Sequence, residues 1–157
     1  MHRDIFIDNG IARCFCNPID PEYKRLYKWL ETYNPSTPSQ NAYLMTSNKI
    51  IHEYNRTCAN TNSDKNIAVL INKLLSEGRT KKIHNDQIKE FQREHFKPHI
   101  KRRLKCNRAD HDHIPVVLLS DRRYALSSDP RFRGDINSFP SFNARAERRP
   151  QDLPYDQ

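Results

Sequence analysis

A chain of 157 residues has the length of one ordinary domain, and its 36 % hydrophobic content suffices for a single core. A mean hydropathy of −0.95, with no apolar run near the roughly 18 residues a spanning helix needs, argues against a membrane segment. The net charge of +8 points to a polyanionic partner.

The N-terminal Met1-His2-Arg3-Asp4 leads straight into an apolar run with no secretory h-region, so a cytoplasmic protein is expected. Residues 4–8 read as a short buried strand, because Ile5, Phe6 and Ile7 are β-formers and Asn9-Gly10 ends the run. Pro21 suits a first helical turn, and Tyr23, Leu26, Tyr27 and Leu30 recur at helical spacing, predicting a helix over residues 21–33. After a proline-bearing loop, residues 43–46 form a second short strand, and Ser47 caps a helix running to about Cys58. Residues 59–63 read as a polar linker. Asp64 then caps a helix to about Glu77, with Gly78 in the C′ position and Ile67, Leu70, Ile71, Leu74 and Leu75 on its apolar face. Ile88, Phe91, Phe96, Ile100 and Leu104 keep helical spacing through the next stretch, and Pro98 should kink or divide that helix. Asn107 or Asp112 starts the following helix, residues 124–127 form another strand, and an edge strand is expected around Ile136. The last residues, 141–157, read as an extended or partly ordered tail after a single unit over 1–140. Short strands alternating with helices predict an α/β fold: a three-layer α/β/α sandwich around a short, mostly parallel sheet.

The charge is concentrated. Between residues 79 and 108 lie eleven basic and three acidic side chains, so this segment carries the whole excess. A solvated helix face, a phosphate-binding surface and a dock for an acidic partner all fit such a run. The phosphate-binding reading is preferred, with Lys101, Arg102, Arg103, Lys105 and Arg108 as its contacts. The four cysteines, Cys14, Cys16, Cys58 and Cys106, are too few and too irregular for a disulfide framework. Cys14-Phe15-Cys16 with His111-Asp112-His113 has poor spacing for zinc, so reduced, buried thiols are expected. His52, His111 and His113 read as packing or surface groups, and Lys49 as a paired surface lysine.

In parallel α/β folds the loops at the carboxyl ends of the strands build the site. The residues there are carboxylates: Asp8 after the first strand, Glu53 two turns into the helix after the second, Asp110 and Asp112 ahead of the next strand, and Asp129 just beyond it. Gathered carboxylates repel one another and need a compensating cation, and hard oxygen ligands suit Mg²⁺ or Mn²⁺. Asp110 is preferred over Asp112 as the third acid, because Ile114 four residues on suits a buried helix face; Asp112 is then an N-cap. Asp135 is an outer acid or, preferably, a turn residue.

The runs Ile5-Phe6-Ile7-Asp8-Asn9, Ser47-Asn48-Lys49-Ile50-Ile51-His52-Glu53-Tyr54, Asp110 with Ile114, and Ala125-Leu126-Ser127-Ser128-Asp129-Pro130-Arg131-Phe132 resemble, in order, the four motifs of the PIN-domain ribonucleases. The resemblance spans roughly residues 4 to 135. Asn9 departs from the Thr or Ser common after the first acid, though it can still bind a ligand. The resemblance implies a Mg²⁺- or Mn²⁺-dependent endoribonuclease with Asp8, Glu53, Asp110 and Asp129 as its acids. It also implies an RNA substrate and, as for many small members, a toxin role with a small acidic antitoxin and a tendency to dimerise. A processing or DNA-directed nuclease and a non-catalytic binding module are the alternatives.

Overall fold

The computed structural model describes residues 1–16, 19–58 and 64–157; the expected linker over residues 59–63 lies outside them. Five strands, β1 (Arg3–Ile7), β2 (Ala42–Thr46), β3 (Thr80–Lys82), β4 (Tyr124–Leu126) and β5 (Arg145–Glu147), form one sheet of order β3-β2-β1-β4-β5. All neighbouring strands run parallel. The helices are α1 (Asn9–Ala12), α2 (Pro21–Glu31), α3 (Asn48–Cys58), α4 (Ile67–Ser76), α5 (Asn85–His95), α6 (Pro98–Lys101), α7 (His113–Leu118) and α8 (Pro130–Asn137). Helices α1 to α4 pack on one another, with α2 on β2 and α4 on β3. Helix α7 packs on β1 and β2 and joins α5 and α8. The helix-flanked parallel sheet is the fold class expected from the sequence. Among the described residues, no helix is long and apolar enough to cross a membrane.

Local chemistry explains most boundaries. Four consecutive residues of β1, Asp4 to Ile7, are buried, the mark of a strand covered on both faces. Asp4 is tolerated there because Lys81 Nζ and the backbone N–H groups of Asp121 and Arg122 donate to it at 3.0, 2.8 and 3.0 Å. Helix α2 starts with Pro21 in its first turn and an Asp20 cap, burying Leu26, Tyr27 and Leu30. Ser47 Oγ accepts from the Ile50 N–H at 3.2 Å at the head of α3, the predicted cap. Gly78 closes α4 with φ +68°, and the Arg79 and Gly78 amides return to the Leu74 and Leu75 carbonyls at 2.8 and 3.2 Å. Pro98 divides the basic helix, separating α5 from α6.

Several expectations are corrected. The cap of α4 is Asn66, whose side chain accepts from the Val69 N–H, not Asp64; Leu75 faces solvent. The basic segment opens with strand β3, and Arg79 does not belong to a surface. It is 1 % exposed and donates to the carbonyls of Leu30 and Ala42 at 2.7 and 3.1 Å, and to Glu77 at 2.8 Å. The region around Ile136 is helix α8, because Asp129 caps it and Pro130 occupies its first turn. Asp135 is not a turn residue. It is buried on α8 and accepts from the backbone N–H groups of Lys105 and Cys106, pinning the loop after α6. Residues 141–157, expected as a tail, contain edge strand β5 and the buried residues Leu153 and Tyr155. Tyr155 meets Trp29 edge-on, and Arg25 pairs with Asp156 at 2.5 Å, so this segment is sewn onto α2.

Candidate metal centre

The order β3-β2-β1-β4-β5 reverses direction between β1 and β4. At such a point the loops leaving adjacent strands diverge and open a crevice beyond their carboxyl ends. β1 and β4 pair through Phe6 with Ala125 and Ile7 with Leu126, and the Asp8 N–H continues the ladder to the Leu126 carbonyl at 2.9 Å. Asp8 and Ser127-Ser128-Asp129 therefore leave the sheet side by side.

Both Asp8 oxygens are engaged. Oδ1 caps α1 by accepting from the Ile11 N–H at 2.9 Å; Oδ2 accepts from Ser127 Oγ and from the Ser128 N–H at 3.1 Å. Burial raises the Asp8 pKa, and these hydrogen bonds together with the charge of His113 oppose the rise. Ser127, wholly buried, also accepts from the Asp129 N–H at 3.1 Å, so one hydroxyl links the first acid to the backbone of the fourth. Gly10 permits this arrangement: a Cβ there would fall 2.1 Å from Ser128 Oγ.

Glu53 projects from α3 and Asp110 from a 3₁₀ turn (Arg108–Asp112) that leads into α7, which begins at His113. Ligand atoms of Glu53, Asp110 and His113 lie within 4.8 Å of one another, and among the described residues this is the one such convergence of His, Cys, Asp and Glu. Burial raises the Asp110 pKa, and the negative charges of Glu53 and Asp129 add to the rise. Burial also acts upward on Glu53, but the His113 imidazole 2.6 Å away, with the charges of Lys49 and His52, leaves it below the ordinary carboxylate range. The Tyr54 phenol, buried between Asp8 and Glu53, is pushed well up by burial and by both carboxylates, and it donates to the Ile7 carbonyl. Glu53 Oε2 is buried, with His113 Nε2 as its close partner at 2.6 Å. A crowded pair of carboxylates beside a buried imidazole fits a divalent cation, and Glu53 and Asp110 are placed to hold it.

The other candidates lie as follows. Asp112 turns away, accepting from Gln92 at 2.9 Å and pairing with Lys49 at 3.4 Å; it occupies the N-cap position of α7 without a side-chain capping bond. Lys49 is thus paired at the rim of the centre and also donates to the Ala109 carbonyl. Asn9 accepts from Thr57 Oγ1 at 2.8 Å, joining α1 to α3. Asp129 caps α8 through the Arg131 N–H at 2.9 Å, while its charge reaches Asp110. Lys101, Arg102, Arg103, Lys105 and Arg108 are all exposed. Arg102, Arg103 and Lys105, with Arg131, surround a groove of about 610 Å³ whose floor includes Ile100, Leu104, Pro130 and Phe139. Pro130 follows Asp129 directly, so groove and acids adjoin. Sequence reasoning took His113 for a packing or surface group and Ser127 for part of the fourth motif, without foreseeing that they meet Glu53 and Asp8. The sole hints were the His-Asp-His run and the paired serines before Asp129. Cysteines take no part in the convergence; Cys106 is a buried thiol whose pKa rises by burial and the neighbouring Asp135.

No protein-family model and no curated protein sequence matches the chain. Among solved structures it is similar to a chain of VapBC2 from Rickettsia felis, determined bound to a DNA fragment from their promoter. The TM-score is 0.55 at 12 % identity, over 92 % of this chain and 97 % of that one, and the likeness is one of fold.

Proposed function

We propose that this chain is a Mg²⁺- or Mn²⁺-dependent endoribonuclease of the PIN type. The observation that carries the reading is the convergence of Glu53, Asp110 and the charge of Asp129 at the β1/β4 crevice, next to a cationic groove. The bound cation would supply an acidified water and a Lewis acid for the phosphoryl oxygens. Glu53 and Asp110 hold it directly or through water. Asp8, fixed by Ser127 and by the Ile11 amide of α1, and Asp129 complete the negative field that would retain it. No histidine base or serine nucleophile is required, so cleavage leaves a 5′-phosphate and a 3′-hydroxyl.

An acidic centre repels a phosphodiester backbone, and the cations of the groove offset that repulsion. Arg102, Arg103, Lys105 and Arg131 take the chain flanking the scissile phosphate, with Lys101 and Arg108 extending the track and Asn9 at its far side. The apolar floor gives an unstacked base a surface to lie on. The toxin role implied by the sequence resemblance supplies the cellular context, in the cytoplasm: a small acidic antitoxin covering this face, on a protein that pairs with a second copy. The fold likeness to a VapBC2 chain supports the antitoxin partner in that reading.

Incubation of the purified chain with single-stranded RNA and Mn²⁺ is expected to yield 5′-phosphate ends, with chelator abolishing cleavage and single-stranded DNA resisting it. Products ending in 2′,3′-cyclic phosphate would refute the mechanism. Cleavage of DNA alone would make the chain a DNA-directed nuclease, and cleavage of neither a binding module. Replacing Lys101, Arg102, Arg103 and Lys105 together by glutamine should flatten the salt dependence of RNA binding. Each lost phosphate contact lowers the slope of log K against log [salt] by about 0.7. An unchanged slope would retire the groove as the RNA track.

A further inference from the structure

One member of the convergent group lies outside the acidic set. His113 is 4 % exposed, and neither of its ring nitrogens has an aligned hydrogen-bond partner. Its position is not a loose one. It opens α7, a helix buried over its whole length, and its ring packs at a tilt against Phe6 of β1 with centroids 5.6 Å apart. Its Nε2 is aimed at Glu53 Oε2, 2.6 Å away, with an Asp110 oxygen completing a group within 4.8 Å. Neighbouring His111 is different, since its ring stacks edge-on against Phe96. His113 Nδ1 has no partner and Nε2 meets only Glu53, whereas a cation set among Nε2, Glu53 and Asp110 would satisfy all three groups at once.

We infer that His113 is a nitrogen ligand of the cation held by Glu53 and Asp110, making the centre selective for Mn²⁺ over Mg²⁺. This rests on the metal-centred reading above and narrows it. Mg²⁺ prefers oxygen donors and keeps its waters, so an imidazole nitrogen adds little to its binding. First-row transition ions gain from a nitrogen ligand, and a site with two carboxylates and one imidazole ranks them above Mg²⁺.

The test uses the full chain loaded with Mn²⁺ and examined by pulsed electron paramagnetic resonance, which detects ¹⁴N bound to the ion. Titration calorimetry with Mn²⁺ and with Mg²⁺ runs in parallel. The wild type is expected to show ¹⁴N modulation and to bind Mn²⁺ more tightly. His113→Gln should lose the modulation and about tenfold or more in Mn²⁺ affinity, with Mg²⁺ affinity changed by less than about threefold. Intact Mn²⁺ binding by the wild type without ¹⁴N modulation would overturn the inference, leaving His113 an ion-pair partner of Glu53 and the metal centre standing. Undiminished Mn²⁺ affinity in His113→Gln would overturn it as well. Failure of the wild type to bind either ion would remove both the inference and the metal-centred reading. Should His113→Gln not fold, the wild-type spectrum alone decides.

Discussion

Asp110→Asn is expected to lower metal-dependent RNA cleavage by about a thousandfold, equivalent to roughly 4 kcal/mol of barrier, without harming the fold. The two halves of that expectation have separate causes. Asparagine keeps the shape but offers a neutral oxygen, so the cation loses one of its anionic ligands. Meanwhile the wild-type carboxylate sits half-buried in the fields of Glu53 and Asp129, and removing its charge relieves repulsion. In the presence of chelator, the melting temperature of the variant should therefore equal or exceed that of the wild type. Added Mn²⁺ should raise the melting temperature of the wild type alone, since a ligand at about 100 times its Kd stabilises by about 2.7 kcal/mol. Undiminished cleavage by the variant would remove Asp110 from the site. A melting temperature that falls sharply without metal would show that Asp110 serves the fold instead.

The largest effect on stability is expected at Arg79. Arg79→Ala should cost about 3–5 kcal/mol in denaturant unfolding, the range for breaking a buried charged network by removing one partner. The guanidinium joins the last carbonyls of α2 to the Ala42 carbonyl at the head of β2, and it pairs with Glu77 at the end of α4. Its plane also lies 5.2 Å from the Tyr33 ring centroid. Truncation would leave the buried Leu30 and Ala42 carbonyls without the guanidinium donor, and Glu77 with Lys73 alone as its counter-ion. Arg102→Ala, exposed on the groove rim, should by contrast change stability by no more than about 0.5 kcal/mol. A loss below about 1 kcal/mol for Arg79→Ala would mean that the network is replaced by water at no cost.

These two residues also mark what a sequence can disclose. Asp110 could be proposed from sequence because the proposal follows from order along the chain: acids after β1, after β2, ahead of β4 and just beyond it, in the order the PIN motifs use. Strands β1, β2 and β4 were legible for a related reason, since strands buried on both faces read as uninterrupted apolar runs. The edge strands were not. Thr80-Lys81-Lys82 and Arg145-Ala146-Glu147 carry charges, which suit a sheet edge, but in a sequence they look like loops. Arg79 was hidden in plain sight, because a charge within a cationic run looks solvated until its carbonyl partners, 37 and 49 residues away, are known. His113 failed to stand out for a similar reason: it sits at the boundary of a polar and an apolar run, and its proximity to Glu53, on another helix, is visible only in the fold. Helix α8 was misread despite a recognisable Asp129-Pro130 start, because Gly134 interrupts it and eight residues establish little periodicity.

The link from Asp8 to Ser127 spans 119 residues. The pairing β3-β2-β1 joins strands that follow one another, whereas β4 docks on β1 only after α5, α6 and α7 have been threaded between. Contacts so distant in sequence form late and slowly. A folding intermediate built from the first three strands would thus carry Asp8 and Glu53 but lack Asp110, His113 and Asp129. The candidate centre is a property of the closed seam between β1 and β4, which pair through Phe6 with Ala125 and Ile7 with Leu126. Opening of that seam would disperse the acids, so the arrangement depends on a contact made across most of the length of the chain.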